Sequence, residues 1–314
     1  MSETARLVQR ALDRLNRPLD RLEAVDKLVR AGRFEVAERL LPELGGLPDL
    51  GPRVRRLQAV VRQLQRWGIS SKVEAYRDPL TRPDGAATSF DAGDSVRIAR
   101  RQGARKIVFV FTGNARQIWL SVHLIHQILP DDCTVVYLQD PYDCGYIFGL
   151  RALGEGYSGT VDGMRRLVAG LDFPEVFVIG SSAGGWGALR YALDLQATRV
   201  LAIAPATNLN GLVEHRDYQA VGAAISKAWG GPGSPPGDMD LLAVYRSATR
   251  PPELILAFGG GHAWDRDQCR RMAGLPHVTL HEEPGYERHD VMAELIANGS
   301  FRRLVDALLR PAEP

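Results

Sequence analysis

The sequence predicts an α/β protein: a three-layer sandwich with a mostly parallel β-sheet between helices, preceded by a helical extension. Two observations carry this. From Lys106 onward, short apolar runs of strand type alternate with stretches of helical periodicity, the pattern of repeated βαβ units. Residues 1–68 are helical in pattern throughout. The expected organisation is therefore a helical hairpin over 1–68 and an α/β domain over 69–314, which suits a chain of 314 residues.

In the helical extension, Leu7, Ala11 and Leu15, then Leu22, Val25, Leu28 and Val29, recur at three- and four-residue spacing, as on one helix face. The stretch from Leu28 through Gly32, Phe34 and Ala37 to Leu41 resembles half of a tetratricopeptide repeat. That resemblance places Phe34 and Ala37 where two helices pack around a small-residue turn. One copy is visible, and stacked repeats need about three to stand alone. The expectation is a hairpin docked on the main domain or on a second subunit. Protein-partner binding or self-association through residues 1–68 is the second reading.

Residues 70–104 are turn-rich and strand-like, with Arg82-Pro83-Asp84-Gly85 and Asp91-Ala92-Gly93-Asp94. The alternation then runs Ile107–Phe111 strand, Ile118–Leu129 helix, Thr134–Leu138 strand, Val161–Leu171 helix and Val176–Ile179 strand. A helix over Trp186–Leu195 follows, then strands at Val200–Ala204, Leu254–Phe258 and Val278–Leu280. Between Ala204 and Leu254 lie an amphipathic piece, Tyr218–Trp229, and the loop Gly230-Gly231-Pro232-Gly233-Ser234-Pro235-Pro236-Gly237. Insertions of that length are commonly functional or disordered.

The most informative segment is Val176-Phe177-Val178-Ile179-Gly180-Ser181-Ser182-Ala183-Gly184, a buried strand running into a Gly-x-Ser-x-Gly turn and a helix. A reversal this tight leaves no room for side chains at Gly180 and Gly184, and it lifts the Ser182 hydroxyl above the sheet edge. It also aims the N–H of Ala183 at the oxygen of a bound acyl group. A glycine-rich turn holding a structural serine is the bland alternative.

Over roughly residues 100–310 the chain resembles the α/β-hydrolase superfamily, in motif and in chain order. The resemblance implies a nucleophile–acid–histidine triad in that order. Ser182 matches the nucleophile. Asp265 matches the acid, in the segment Gly259-Gly260-Gly261-His262-Ala263-Trp264-Asp265-Arg266-Asp267, with Asp267 in reserve. One of these two aspartates is expected to cap the helix that follows. His289, past the last strand, matches the general base, and His262 in the acid loop is within reach of the same pocket. The oxyanion hole falls to Ala183 and to Gly113 or Asn114, in the loop after the first buried strand. The family's lid corresponds to about 206–250. Tyr142, Tyr146, Trp186 and Trp264 are candidates to line a substrate pocket, although core packing explains them equally well.

The remaining histidines point elsewhere. His123 and His126 have no third ligand nearby in the sequence and make a poor metal site; His277 and His281 flank the last strand and read as structural. No metal or cofactor is expected. The formal charge of +2, with Lys27, Lys72, Lys106 and Lys227 the only lysines among 39 basic residues, points to no nucleic-acid or membrane partner. Three cysteines without metal or redox spacing suggest free thiols in a reducing compartment. No leader-type segment and no apolar run of spanning length is evident, so a cytoplasmic location is expected.

Serine chemistry of this kind makes a small-molecule or saccharide ester the expected substrate, cleaved through a covalent acyl-enzyme. O-acyl transfer to a saccharide or polysaccharide is the alternative, because a helical unit joined to such a domain resembles glycan-modifying proteins of bacteria. A non-catalytic hydrolase-fold scaffold that binds a protein partner is the third reading.

Overall fold

The computed structural model describes residues 15, 17–47, 49–69, 88–90, 95–101, 103–113, 117–170, 175–210, 212, 223, 225 and 239–311. Its strands are β1 (Thr88–Phe90), β2 (Val96–Ala99), β3 (Lys106–Phe111), β4 (Cys133–Leu138), β5 (Glu175–Ser181), β6 (Arg199–Ile203), β7 (Glu253–Gly259) and β8 (Val278–Glu283). They form one sheet in the order β1-β2-β4-β3-β5-β6-β7-β8. Strand β2 runs antiparallel to β1 and β4, and every other pairing is parallel. The register sets Val108 of β3 beside Val135 of β4 and Phe177 of β5. The described helices are α1 (Pro18–Arg30), α2 (Phe34–Gly45), α3 (Gly51–Arg66), α4 (Val122–Ile128), α5 (Gly156–Ala169), α6 (Ala183–Asp194), α7 (Leu241–Ser247), α8 (Ala263–Arg270), α9 (Met292–Ala297) and α10 (Ser300–Leu309).

The unbroken apolar strands are explained by burial on both faces, as a parallel sheet requires. Phe109, Phe111, Val136, Val178, Val200, Leu256 and Phe258 pack in one cluster with Tyr157 and Met164 of α5 and Trp186, Leu189 and Tyr191 of α6. The alternate residues Val108, Val110, Phe177, Ile179 and Leu201 are buried as well. This is the α/β sandwich that the alternating sequence predicts. Strand order decides where a site can form. The chain runs from β3 out to β4, then returns to place β5 on the other side of β3, so the strand order reverses between β3 and β5, the point beyond whose carboxyl ends open α/β sheets bind ligands.

Two compact units divide the described residues. One holds α1–α3, the segment Trp119–Ile128 and the segment Met292–Arg302; the other holds the sheet, α5–α8 and Arg303 onward. Within the first unit, Phe34 and Ala37 are buried between helices, and the chain turns from α1 to α2 through Gly32 at φ 74°. Arg56 of α3 pairs with Glu294 of α9 at 2.6 Å. Arg30 stacks over the Trp119 ring at 5.0 Å.

Two helix boundaries differ from expectation. Helix α4 starts at Val122 and not Ile118, because Trp119 adopts φ 51°, which a helix cannot continue through. Helix α5 starts at Gly156 and not Val161. Tertiary contacts override the weak propensity of Gly156-Tyr157-Ser158-Gly159-Thr160: Tyr157 and Thr160 are buried, and Thr160 Oγ1 accepts the Leu150 N–H at 2.6 Å. The expected lid over 206–250 lies mostly outside the described residues; α7 is its described helix. Among the described residues, no helix is long and apolar enough to cross a membrane.

Candidate active site

The candidate site is built around Ser182, the single residue between β5 and α6. Its backbone sits at φ 55°, ψ −122°, a region that non-glycine residues enter at a cost of about 1–3 kcal/mol. Neighbouring contacts hold it there. Its N–H donates to the Ile203 carbonyl at 2.9 Å, and its own carbonyl accepts the Gly185 N–H at 2.8 Å. The flanking glycines are a steric requirement. A Cβ on Gly180 would lie 2.4 Å from the Ala188 methyl and the Gly184 carbonyl oxygen. One on Gly184 would lie 2.4 Å from the Phe111 carbonyl oxygen.

The turn presents Ser182 Oγ to His289 Nε2 at 2.7 Å. His289 Nδ1 lies 2.9 Å from both oxygens of Asp265. Asp265 is fully buried in the first turn of α8, whereas His289 is partly open to solvent. The structure therefore brings Ser182, His289 and Asp265 into one continuous chain of hydrogen-bonding contacts. Asp267 is left outside it: its side chain is 70% exposed and pairs with Arg266 at 3.2 Å.

Neither aspartate caps α8. The N-cap is His262, whose Nδ1 lies 3.3 Å from the Asp265 N–H and 3.0 Å from Asp265 Oδ2. The histidine caps because α8 already begins at Ala263, which puts both aspartates inside the helix and the capping position on His262. The side-chain nitrogen and oxygen atoms of His262, Asp265 and His289 lie within 4.8 Å of one another, and each imidazole contacts Asp265 at hydrogen-bond distance. The buried Cys269 beside them keeps its thiol proton, through burial first and the Asp265 charge second.

The residues expected to supply oxyanion donors are placed unevenly. The Ala183 N–H opens α6, where a helix leaves its first donors without an internal acceptor. Gly113 is a correction: its N–H donates to the Gln117 carbonyl at 3.2 Å and so is already engaged. Its role is spatial, since a Cβ there would lie 3.2 Å from the Ser181 carbonyl oxygen and 3.5 Å from Ser182 Cβ. Asn114 lies outside the described residues.

Two expected pocket residues belong to the core. Tyr146 is 1% exposed, and its hydroxyl lies 2.7 Å from the Leu138 carbonyl and 2.9 Å from that of Thr112. Burial raises its phenol far above the ordinary value. Trp186 is 3% exposed among core residues, because α6 turns that side chain toward the sheet. Tyr142, by contrast, is 50% exposed, its ring edge-on to Phe148 at 5.7 Å. Trp264 is half-buried against the core.

Sequence reasoning missed the residue that shapes this loop. Asp140 is buried, and its carboxylate accepts the N–H groups of Tyr142, Cys144 and Tyr146 at 2.9, 2.7 and 2.8 Å. Burial pushes its carboxyl above the usual value, opposed by those three donors. The readable signal was an aspartate ahead of a turn whose backbone needs caps. The other histidines stand apart from the site. His281 Nε2 lies 3.0 Å from Glu283 Oε1, His277 stacks on Tyr245 at 5.7 Å, and His123 and His126 belong to the helical unit.

No protein-family model matches the chain, and no curated protein matches it. Solved structures do. The chain is 11% identical to an S-formylglutathione hydrolase from Staphylococcus aureus, at TM-score 0.50, over 71% of this chain and 97% of that one. It is 17% identical to esterase B from Lactobacillus rhamnosis, solved with a tributyrin phosphonate inhibitor, at TM-score 0.50, over 80% of this chain and 96% of that one. At these identities the likeness is one of fold.

Proposed function

We propose that this chain, which has the α/β-hydrolase fold, is a serine-dependent acyl-ester hydrolase. The observation that carries the reading is the 2.7 Å approach of Ser182 Oγ to His289 Nε2, with the buried Asp265 behind the imidazole. Two structures of the same fold are described as a hydrolase and an esterase, which fits the reading.

The chemistry follows from the contacts. A serine hydroxyl is a weak nucleophile until a base takes its proton. Ser182 Oγ attacks the acyl carbon as its proton passes to His289 Nε2. Asp265 accepts the Nδ1–H, fixes the tautomer and stabilises the imidazolium. The Ala183 N–H receives charge developing on the carbonyl oxygen, a contribution of about 3 kcal/mol per donor. The leaving alcohol takes the proton back from His289, and water repeats the sequence on the acyl-enzyme to release the acid. A fluorophosphonate probe tests this: it should label the wild type, fail on Ser182→Ala and label His289→Ala far more slowly. Equal labelling of wild type and Ser182→Ala would remove Ser182 as the nucleophile.

A further inference from the structure

We infer that His262, Asp265 and His289 form a binding site for a zinc-type divalent ion, and that the bound ion silences Ser182 by taking the Nδ1 position of its base. Ion binding requires only the cluster. The silencing rests on the reading of Ser182 as nucleophile and His289 as its base.

Two imidazole nitrogens from different parts of the chain converge on one carboxylate. His262, at the N-cap of α8, brings Nδ1 to 3.0 Å from Asp265 Oδ2. His289, in the loop past β8, brings Nδ1 to 2.9 Å from both oxygens of the same group. One ligand atom from each of the three residues lies within 4.8 Å of the other two. Tetrahedral zinc, at about 2.1 Å from nitrogen and oxygen ligands, holds those ligands about 3.3 Å apart. Each imidazole–carboxylate edge therefore opens by a few tenths of an ångström, and the imidazole–imidazole edge closes by at most about 1.5 Å. Both imidazoles are partly open to solvent, whereas Asp265 is fully buried. An ion approaching from the imidazole side meets a carboxylate that water does not screen.

The donor set selects the class of ion. Two imidazoles and one carboxylate, with a fourth position left for water, are the ligands of an open zinc site. Neither ring needs to be charged, since a neutral imidazole frees Nδ1 by carrying its proton on Nε2. Magnesium and calcium prefer a shell of six or more oxygens and find a single carboxylate here. Capping also holds the site in readiness: His262 Nδ1 lies 3.3 Å from the Asp265 N–H, which keeps that nitrogen beside the carboxylate when no ion is bound.

The consequence for Ser182 follows from proton bookkeeping on His289. An ion on Nδ1 occupies that lone pair, so the Nδ1 proton leaves to solvent and the neutral ring takes one up at Nε2. Ser182 Oγ, 2.7 Å away, then faces an N–H where it had an acceptor. The serine keeps its position and loses its base.

The test uses the full chain with ¹⁵N-labelled histidine, freed of metal by a chelator and titrated with zinc chloride, with magnesium chloride as the control. Wild type is compared with His262→Asn, which keeps a good helix cap, and His262→Ala, which does not. Zinc affinity is read by competition with a chromophoric chelator. Fluorophosphonate labelling is expressed for each protein as the rate with zinc relative to the rate without it. In the wild type, labelling should fall about a hundredfold or more as zinc saturates, the loss expected when a general base is removed. The His289 ring signals should shift to the Nε2–H form, and magnesium should do neither. Both variants should bind zinc at least about tenfold more weakly and keep labelling at the zinc concentration that silences the wild type. Equal zinc affinity in all three proteins, or a loss confined to the alanine variant, would overturn the site, the second because it traces to the missing cap. A His289 ring that still carries its proton on Nδ1 with zinc bound would overturn it too. A metal-free wild type that resists labelling, while its zinc affinity still falls in both variants, would leave the ion site standing and remove the nucleophile reading instead.

Discussion

Ser182 Oγ and His289 Nε2 lie 2.7 Å apart although 107 positions separate them in the chain. The sheet makes this possible: β5 delivers the serine, and the loop past β8, on the same carboxyl edge, returns the histidine. In the proposed mechanism the histidine serves as base only while its Nδ1 carries the proton and Nε2 is free to accept. Asp265→Asn can offer its amide N–H₂ to Nδ1 and select the opposite tautomer. The expected result is a loss in kcat of about ten-thousand-fold on a short acyl ester, with little change in melting temperature. Unchanged kcat would remove Asp265 from the relay.

Gly184→Ala should disturb the turn itself. The added Cβ would meet the carbonyl oxygens of Phe111 and Thr112 at 2.4 and 2.5 Å, and backbone atoms of a central strand cannot step aside. A loss of at least about 1–3 kcal/mol is expected in urea unfolding, together with loss of labelling at Ser182. Gly274→Ala is the control: no atom lies within 4 Å of its Cβ position, so the change should stay within about 0.5 kcal/mol.

Arg199 ties the C-terminal segment to the sheet. It is 2% exposed on β6, with Nε 2.7 Å from Glu253. Nη1 donates to the Leu308 carbonyl at 3.2 Å and also to that of Arg310. Arg199→Met fills similar volume but strands these acceptors, and should cost about 2–4 kcal/mol in urea unfolding. Arg199→Lys should recover little, since a single ammonium cannot replace the planar fork.

Stability should fall on acidification below about pH 6.5, the ordinary imidazole value. His123 and His277 are both held below that value, each by burial first, and His123 also by the charge of Arg33. Below the unfolded-state value the unfolded chain binds the extra protons, so unfolding free energy rises with pH across this window and is lost as pH falls through the native values. Melting temperatures from pH 8 to 5 should decline, and His123→Gln should flatten the decline. An identical slope in that variant would exclude His123 as a source.

The turn at Ser182 was legible within five residues because its demands are local: Gly180 and Gly184 answer contacts that any strand-to-helix reversal of that tightness creates. The layered sheet was legible for a related reason, since strands buried on both faces must be apolar throughout. What the linear text left open was which way a side chain turns. Asp265 and Asp267 share α8 two positions apart, roughly 200° around the helix, so one is sealed beside His289 and the other faces water. Tyr146 reads as a pocket aromatic, yet Asp140 gathers its loop and buries the ring in the core. Gly113 reads as an open donor, but packing brings the Gln117 carbonyl onto its N–H. Composition and spacing say which groups reach an edge of the sheet; helix phase and hydrogen-bond competition, which are properties of the folded whole, choose among them.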